Sequence, residues 1–348
     1  MEAQMQVALL TRYFNFTNAG IGRVSNELLK GLLNHDIQVD PVSTNSRSLP
    51  SYLYYSLVQS KLLLPSHADI YHAVTPVEGL YLPSGRGVLT ILDLIPMVHP
   101  DKCGAGIGYN GLLNKIGTEY FSYCARTASK KAEYITTISE MAKGDIVNYL
   151  KIKSEVVQVV TPGISNHLDK NLIYKNNSDN KRREFKIFGY LGQLDRRKRV
   201  DVLIKSFKSS APKNCMLFIA GVGRDREKLK ELAGSDKRIE FLGFISEDGL
   251  SHFYNYLDYF IFPTMAEGYG LPIVESLACG TPVVTLEDAV IPAEVKDKTI
   301  IVRDLREFFR DVQDSPVPPS IEIWAGMHNW GQYVDKHIEL YGEVVANG

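Results

Sequence analysis

Cysteine is scarce in this chain and scattered. Cys103, Cys124, Cys215 and Cys279 form no C-x-x-C pair and have no histidine at zinc spacing. A disulfide framework and a structural zinc site are therefore excluded, and reduced core thiols in a cytoplasmic setting are expected. Neither sign of charge prevails: 39 Lys+Arg face 40 Asp+Glu, and a cut at Asn166 leaves 14 against 13 before it and 25 against 27 from it onward. Neither half carries the excess of a nucleic-acid binder. No stretch approaches the roughly 18 uncharged apolar residues of a membrane span. The opening MEAQMQVALLTRYF lacks a basic n-region and a long apolar h-region, so neither export by a signal peptide nor a spanning segment is expected. Nor do G-x-x-x-x-G-K-[ST], H-E-x-x-H or G-x-S-x-G occur, which removes support for triphosphatase, zinc-protease and esterase chemistry. D-x-D is absent too, so no such acidic pair is on hand to fix a divalent ion on a diphosphate.

What is present is ordinary globular composition, 348 residues with 45% hydrophobic, a length that suits two domains. Strand-length apolar runs recur as MQVALLT, ADIYHAV, RGVLTIL, EYITTIS, EVVQVVT, FKIFGYL, CMLFIAG, RIEFLGF, DYFIFPT and TPVVTL, with helix-like stretches such as VSNELLKGLL, VDVLIKSFK and LPIVESLA between them. That alternation predicts an α/β chain of parallel sheets with crossover helices. The polar, Asn-rich segment Ser165 to Phe185 is the best linker. It implies one doubly wound sheet in each of two domains, 1–168 and 169–327. The last stretch, NWGQYVDKHIELYGEVV, has helical spacing beyond the Pro-rich SPVPPS and suits either domain.

In such sheets ligands bind beyond the carboxyl ends of the strands, and the loops there are rich in glycine. Met265-Ala-Glu-Gly-Tyr-Gly-Leu-Pro follows DYFIFPT and opens a helix, with Pro272 suited to its first turn. Amides of Gly268, Gly270 and Leu271 would face an anion, because a helix N-terminus offers unpaired N–H groups and roughly half a positive charge, and glycine permits close approach. The plainer reading is a Gly-rich turn with Glu275 as a dipole partner. Glu267 weighs against it, standing ahead of the glycines where no dipole needs it and eight positions before Glu275. Two carboxylates flanking an anion-binding turn suit a ligand with polyols on both sides of a diphosphate, the shape of a nucleotide sugar. A second element leaves FKIFGYL through a basic turn in which Arg197 and Lys198 can neutralise phosphates, the alternative being a solvated loop. A third, Asn18-Ala-Gly-Ile-Gly-Arg, lies between the first strand and VSNELLKGLL; it is either a ligand-approach turn or a tight βα connection. The stricter G-x-G-x-x-G at Gly106, Gly108 and Gly111 has no strand before it and no acid about 20 residues on. It is read as a flexible loop, which disfavours a nicotinamide oxidoreductase.

Together these residues resemble the retaining family 4 glycosyltransferases, whose GT-B fold sets two Rossmann-like doubly wound domains about a central cleft. Glu267-Gly-Tyr-Gly-Leu-Pro-Ile-Val-Glu275 resembles the family's E-x7-E donor motif, followed by A-x-G-x-P-V as Ala278-Cys-Gly-Thr-Pro-Val. Gly192 through Lys198 resembles its G-x5-K element, NAGIGR its first-domain glycine loop, and Arg238 through Phe244 the strand and turn near the nucleobase. The terminal helix, about 328–348, resembles the one that crosses back to the first domain. The resemblance implies that Glu267 contacts the donor sugar, Glu275 the ribose, and Arg197 and Lys198 the diphosphate. Gly20 and Gly22 would approach the phosphates from the first domain. Gly192, Gly243, Phe244, Gly268, Tyr269, Gly270 and Leu271 would complete the donor site.

Two positions depart from the family pattern. In VLTILDLIPMVHPD, Leu92 stands where a histidine near the sugar is usual, and Gln193 stands where many members carry an arginine. His72, Asp93 and His99 are the nearby polar residues that could serve the sugar or acceptor, the plainer reading of a lone histidine being a structural one. The expected activity is transfer of a hexose, mannose or glucose, from a nucleoside diphosphate sugar to a hydroxyl acceptor such as a glycan or lipid-linked glycan. It is expected to need no metal and no cofactor, with stabilisation of the leaving diphosphate as the main catalytic effect. A nucleotide-sugar-binding protein without turnover is the alternative. Eight Lys+Arg against four Asp+Glu from Lys102 to Lys153, with the apolar, aromatic LPSYLYYSLVQSKLLLP, allow peripheral contact with anionic lipid at the inner face of a membrane.

Overall fold

The computed structural model describes residues 4–12, 14, 19–43, 64–102, 109–164, 168, 185–312 and 329–347, of which 19 and 109–114 by backbone alone. Most of the linker candidate, most of LPSYLYYSLVQSKLLLP, SPVPPS, Asn18, Gly106 and Gly108 lie outside them. The chain divides into two compact units, Met1–Gly163 with His328–Gly348, and Ile164–Met327.

The first unit holds six parallel strands: β1 (Gln6–Leu10), β2 (Gln38–Val42), β3 (Ile70–Ala73), β4 (Gly87–Thr90), β5 (Tyr134–Thr137) and β6 (Val157–Val159). Their order across the sheet is β2-β1-β3-β4-β5-β6. The inner strands are buried at every residue of β3 and β4 and at all but the first residue of β1 and β5, as parallel strands covered on both faces should be. The helices are α1 (Ala19–Asn34), the short α2 (Ile95–Val98), α3 (Tyr109–Ala128), α4 (Glu140–Leu150) and, at the far end of the chain, α11 (Trp330–Asn347). Val24, Leu28 and Leu32 from α1 and Trp330, Tyr333, Val334, Leu340, Tyr341 and Val344 from α11 close over Val7, Leu9, Ile70 and Val88 of the sheet. A Cβ on Gly31 would meet Val334 Cγ2 at 2.2 Å, so glycine sets how closely α1 and α11 approach. The terminal helix is therefore part of the first unit. Gly111 lies inside α3, not in a flexible loop, because the run Tyr109–Ala128 is continuous in helix.

The second unit repeats the plan with β7 (Lys186–Leu191), β8 (Cys215–Ala220), β9 (Ile239–Gly243), β10 (Tyr259–Ile261), β11 (Val283–Leu286) and β12 (Ile300–Val302), again all parallel, in the order β12-β11-β10-β7-β8-β9. Its helices are α5 (Val200–Ser210), α6 (Arg226–Ala233), α7 (Glu247–Tyr256), α8 (Leu271–Ala278), the short α9 (Ala293–Lys296) and α10 (Leu305–Arg310). Phe188 of β7 anchors the core, with the rings of Phe207, Phe308 and Phe309 packed edge-on around it at 5.1–6.3 Å. Two strands escape the sequence pattern, β2 and β12. Both lie at sheet edges, where one side of the strand is bare and the burial pattern is broken. β2 even carries Pro41, tolerated because an edge strand has backbone donors that no neighbour needs.

Candidate active site

The strand order of the second unit fixes where its site must be. From the central β7 the chain moves outward through β8 and β9, then returns to β10 on the other side of β7 and proceeds to β11 and β12. β7 and β10 are hydrogen-bonded neighbours from which the chain proceeds to opposite sides of the sheet, a topological switch point, and ligands of doubly wound sheets bind outside the carboxyl ends there. The loop after β7 is the basic turn, and the loop after β10 is the one that carries Glu267.

Asp195 caps the short turn Arg196–Lys198 by accepting from the Lys198 amide at 3.3 Å, and Arg199 leaves it in the left-handed region with φ 52°. The two loops are then stitched together. Met265 N donates to Arg197 O at 2.8 Å, Arg199 Nη2 to Thr264 O at 3.2 Å, and Arg197 Nη1 to Ala266 O. From the far side Glu267 N donates to Val290 O at 2.8 Å, while Arg199 forks onto Asp288 at 2.8 and 3.0 Å. Glu267 is thus held between the loops that follow β7 and β11.

Three donors converge on one oxygen of Glu267. Lys198 Nζ and Thr264 Oγ1 each stand 2.6 Å from Oε1, and Arg197 Nη1 stands 3.3 Å away. Among the described residues Oε2 receives no hydrogen bond. Lys198 and Glu267 are both 7% exposed, and Lys198 Nζ also lies 5.0 Å over the Phe262 ring. Burial alone would raise the Glu267 carboxyl, but Lys198 first and Arg197 second outweigh it and hold it below the usual carboxylate range. Burial pulls the Lys198 ammonium below its ordinary value against the attraction of Glu267. The expected diphosphate ligands, Arg197 and Lys198, are therefore both engaged by Glu267.

Gly270 closes the loop at φ 98°, a left-handed position that suits glycine, and α8 begins at Leu271 with Pro272 behind it. Among the described residues the amides of Gly270 and Leu271 donate to no acceptor, so they remain for an anion at the helix N-terminus. Glu275 lies inside α8 beyond its first turn and is 1% exposed. Its Oε2 accepts from Tyr254 OH at 2.8 Å, so it is not the first-turn dipole partner of the plainer reading. Gly268 and Tyr269 are buried in the turn between the two carboxylates.

Gly192 is a packing position. A Cβ on it would meet Tyr190 OH at 2.8 Å, and one on Gly221 would meet the Gly192 carbonyl oxygen at 1.8 Å, so the two glycines let the ends of β7 and β8 touch. Gly243 ends β9 at φ 74° with open space beside it, and Phe244 follows 51% exposed. In the first unit Gly20 and Gly22 lie within the first turn of α1, not in a loop ahead of it. No acidic residue shares that turn, which leaves its positive end for an anion.

The residues considered for the sugar or acceptor divide differently from expectation. His72 is not available: it is fully buried in β3, with Nδ1 2.6 Å from Tyr341 OH and Nε2 2.7 Å from Thr90 Oγ1. An inward-facing position on a covered strand takes it into the layer under α11. Leu92 is partly buried against the first unit's core, Asp93 Oδ1 caps α2 by accepting from Ile95 N at 3.1 Å, and His99 ends α2. These three lie beyond the carboxyl end of β4. Thr264 and Tyr254, which bond the two carboxylates, have no motif in the sequence. The only signal for Thr264 is its place three residues before Glu267.

Comparison with known proteins agrees with this geometry. Residues 174–303, which include both loops of the switch point, match the family model described as Glycosyl transferases group 1. An uncharacterized glycosyltransferase of Methanocaldococcus jannaschii is 28% identical over 160 residues, covering 43% of this chain and 41% of the relative. The O-antigen chain mannosyltransferase B of Escherichia coli is 29% identical over 119 residues, 32% of this chain and 31% of its own. The chain thus spans well under half the length of these curated relatives. Among solved structures, WaaG, a glycosyltransferase involved in lipopolysaccharide biosynthesis, superposes with TM-score 0.69 at 18% identity over 98% of both chains. Anabaena HepE in complex with UDP and glucose gives 0.68 at 16%, over 98% of this chain and 100% of that one. The architecture is that of GT-B glycosyltransferases, and the match to the group 1 model lies within the second unit.

Proposed function

We propose that this protein is a retaining hexosyltransferase of the family 4 type. It moves mannose or glucose from a nucleoside diphosphate sugar to a hydroxyl acceptor on a glycan or lipid-linked glycan. The observation that carries the proposal is Glu267 at the switch point, fixed by three donors on Oε1 with Oε2 receiving none among the described residues. A carboxylate so held is an acceptor for a sugar hydroxyl. The cations beside it and the unengaged amides of α8 are placed to take the charge of a leaving diphosphate. Stabilisation of charge that develops as the glycosidic bond breaks, by groups already in place, lowers the barrier without a metal.

The relatives support this direction: one is an O-antigen chain mannosyltransferase, and the HepE structure holds UDP and glucose. Peripheral contact with anionic lipid belongs to the same proposal. It is supported by exposed Ile116, Tyr123 and Tyr149 among the basic residues of α3 and α4. Among the described residues, no helix is long and apolar enough to cross a membrane.

The test is turnover with a panel of UDP- and GDP-linked hexoses, offered soluble acceptors and lipid-linked acceptors in anionic vesicles, with the anomeric configuration of product read by NMR. Transfer with retained configuration is expected. Binding of a donor without transfer or hydrolysis would leave a nucleotide-sugar-binding protein, and absence of binding would sink the reading altogether.

A further inference from the structure

We propose that two hydroxyl groups outside the sequence motifs, Thr264 and Tyr254, orient the two carboxylates of the site. Thr264 would act on the sugar through Glu267, and Tyr254 on the ribose through Glu275. The inference rests on the nucleotide-sugar reading above and deepens it by assigning each half of the donor its own positioning residue.

Thr264 is fully buried on the loop after β10. Its Oγ1 lies 2.6 Å from Glu267 Oε1 and 3.3 Å from Ala266 O. A hydroxyl has one proton, and the nearer, charged acceptor takes it. Lys198 and Arg197 hold the same oxygen from other directions, but both are cations whose attention a diphosphate competes for. Thr264 is neutral, so its hold on Oε1 survives the arrival of the ligand. It keeps the plane of the carboxylate, and with it the direction of Oε2, constant while the cations redistribute.

Tyr254 plays the corresponding part on α7. Its ring is fully buried, packed edge-on against Phe253 at 5.5 Å and Phe260 at 5.3 Å, and its carbonyl accepts from Thr281 Oγ1 at 2.7 Å. The phenol is therefore fixed from both ends where it donates to Glu275 Oε2 at 2.8 Å. A neutral donor satisfies one lone pair of a buried carboxylate and leaves its charge intact, which preserves its ability to accept from a ribose hydroxyl. A cation in the same place would attract the diphosphate instead. Both residues are positioning residues, because neither is argued to touch the ligand.

The experiment compares wild type with Thr264→Val, Thr264→Ser and Tyr254→Phe. Affinity is measured by calorimetry for UDP-glucose, UDP and 2′,3′-dideoxy-UDP, and for the set GDP-mannose, GDP and 2′,3′-dideoxy-GDP. Turnover is measured with the donor that wild type uses, and thermal midpoints are recorded throughout. Thr264→Val is expected to lower kcat roughly tenfold, the scale of a lost hydrogen bond to a charged group, with affinity for the nucleoside diphosphate within twofold of wild type. Thr264→Ser should restore kcat. Tyr254→Phe is expected to weaken the nucleoside diphosphate roughly tenfold and to bind the dideoxy analogue as wild type does, since that ligand lacks the hydroxyls Glu275 would accept.

A merely structural role would weaken all probes alike. That pattern, failure of Thr264→Ser to restore turnover, or equal loss of ribo- and dideoxy ligands in Tyr254→Phe would overturn the inference while leaving the nucleotide-sugar reading in place. So would variants indistinguishable from wild type. A wild type that binds none of the six ligands overturns both.

Discussion

Glu267 is the residue on which the site depends, and its surroundings make two of its effects separable. It is the counter-ion that keeps Lys198 and Arg197 tolerable in a buried place, and it is the acceptor proposed for the sugar. Glu267→Gln keeps shape and removes charge. Turnover is expected to fall by tenfold or more, because a hydrogen bond that strengthens toward the transition state is lost. Affinity for the nucleoside diphosphate should hold or rise, since both cations are then released to it. The same change leaves two cations without their carboxylate, and breaking a buried pair from one side costs about 3–5 kcal/mol. The apoprotein should therefore melt earlier and regain stability when nucleoside diphosphate is added. Steady-state kinetics, calorimetry and a melting series check the three effects. Retention of half the wild-type turnover would show that Glu267 is not the sugar contact.

At the scale of elements, what the sequence made legible follows burial. Ten strands lie in apolar runs readable at once; for the inner ones this is what cover on both faces demands, and the edge strands β6 and β9 carry such runs as well. The other two edge strands escape this reading: β2 is interrupted by Asp40 and Pro41, and the apolar part of β12 is only three residues long. Glu267, Arg197 and Lys198 could be singled out one by one, but their convergence depends on β7 and β10 becoming neighbours, which no local pattern records. For His72 the sequence leaves two readings open, a substitute for the histidine missing at Leu92 and a structural histidine, and its strand position decides for the second by carrying it into a network that ties α11 to the sheet. There it stacks on His337 at 5.2 Å; His337 Nδ1 lies 2.8 Å from Tyr333 O, and Thr90 and Thr136 join their hydroxyls at 2.7 Å.

That network makes the first unit acid-sensitive. Burial lowers His337 to about 4, and burial with the neighbouring His337 lowers His72 well below its ordinary value. Each is neutral when folded and gains a proton more readily when unfolded, so their contribution is full above about pH 6.5 and is lost as pH falls toward 4. For His337 the separation amounts to about 3 kcal/mol. Urea denaturation at stepped pH should show the first unit weakening in that window, and His337→Gln should flatten the slope. A wild-type slope unchanged in His337→Gln would remove the histidine from the explanation.

Over the whole molecule, the balance of charge bears on how the diphosphate of the proposed donor would be handled. The chain is near neutral, with a formal net charge of −1, so no broad positive field would draw that donor in. On the proposed reading the attraction is local, from Arg197, Lys198 and the N-terminal amides of α8. Among the described residues no group of three His, Cys, Asp or Glu is placed to hold a metal ion, and D-x-D is absent from the sequence. Arg197 and Lys198 are neutralised in part by Glu267. On the proposed reading a diphosphate would compete with Glu267 for both. On this reading a divalent ion would compete with Arg197 and Lys198 for the same phosphate oxygens, and among the described residues no carboxylate cluster is placed to hold it. We therefore expect turnover in excess EDTA to match that in magnesium or manganese within about twofold, while Lys198→Ala lowers both nucleotide affinity and turnover in either condition. Collapse of activity in EDTA with recovery on adding either metal would show that the positive charge is supplied by a bound ion, and that Lys198 and Arg197 serve Glu267 instead of the diphosphate.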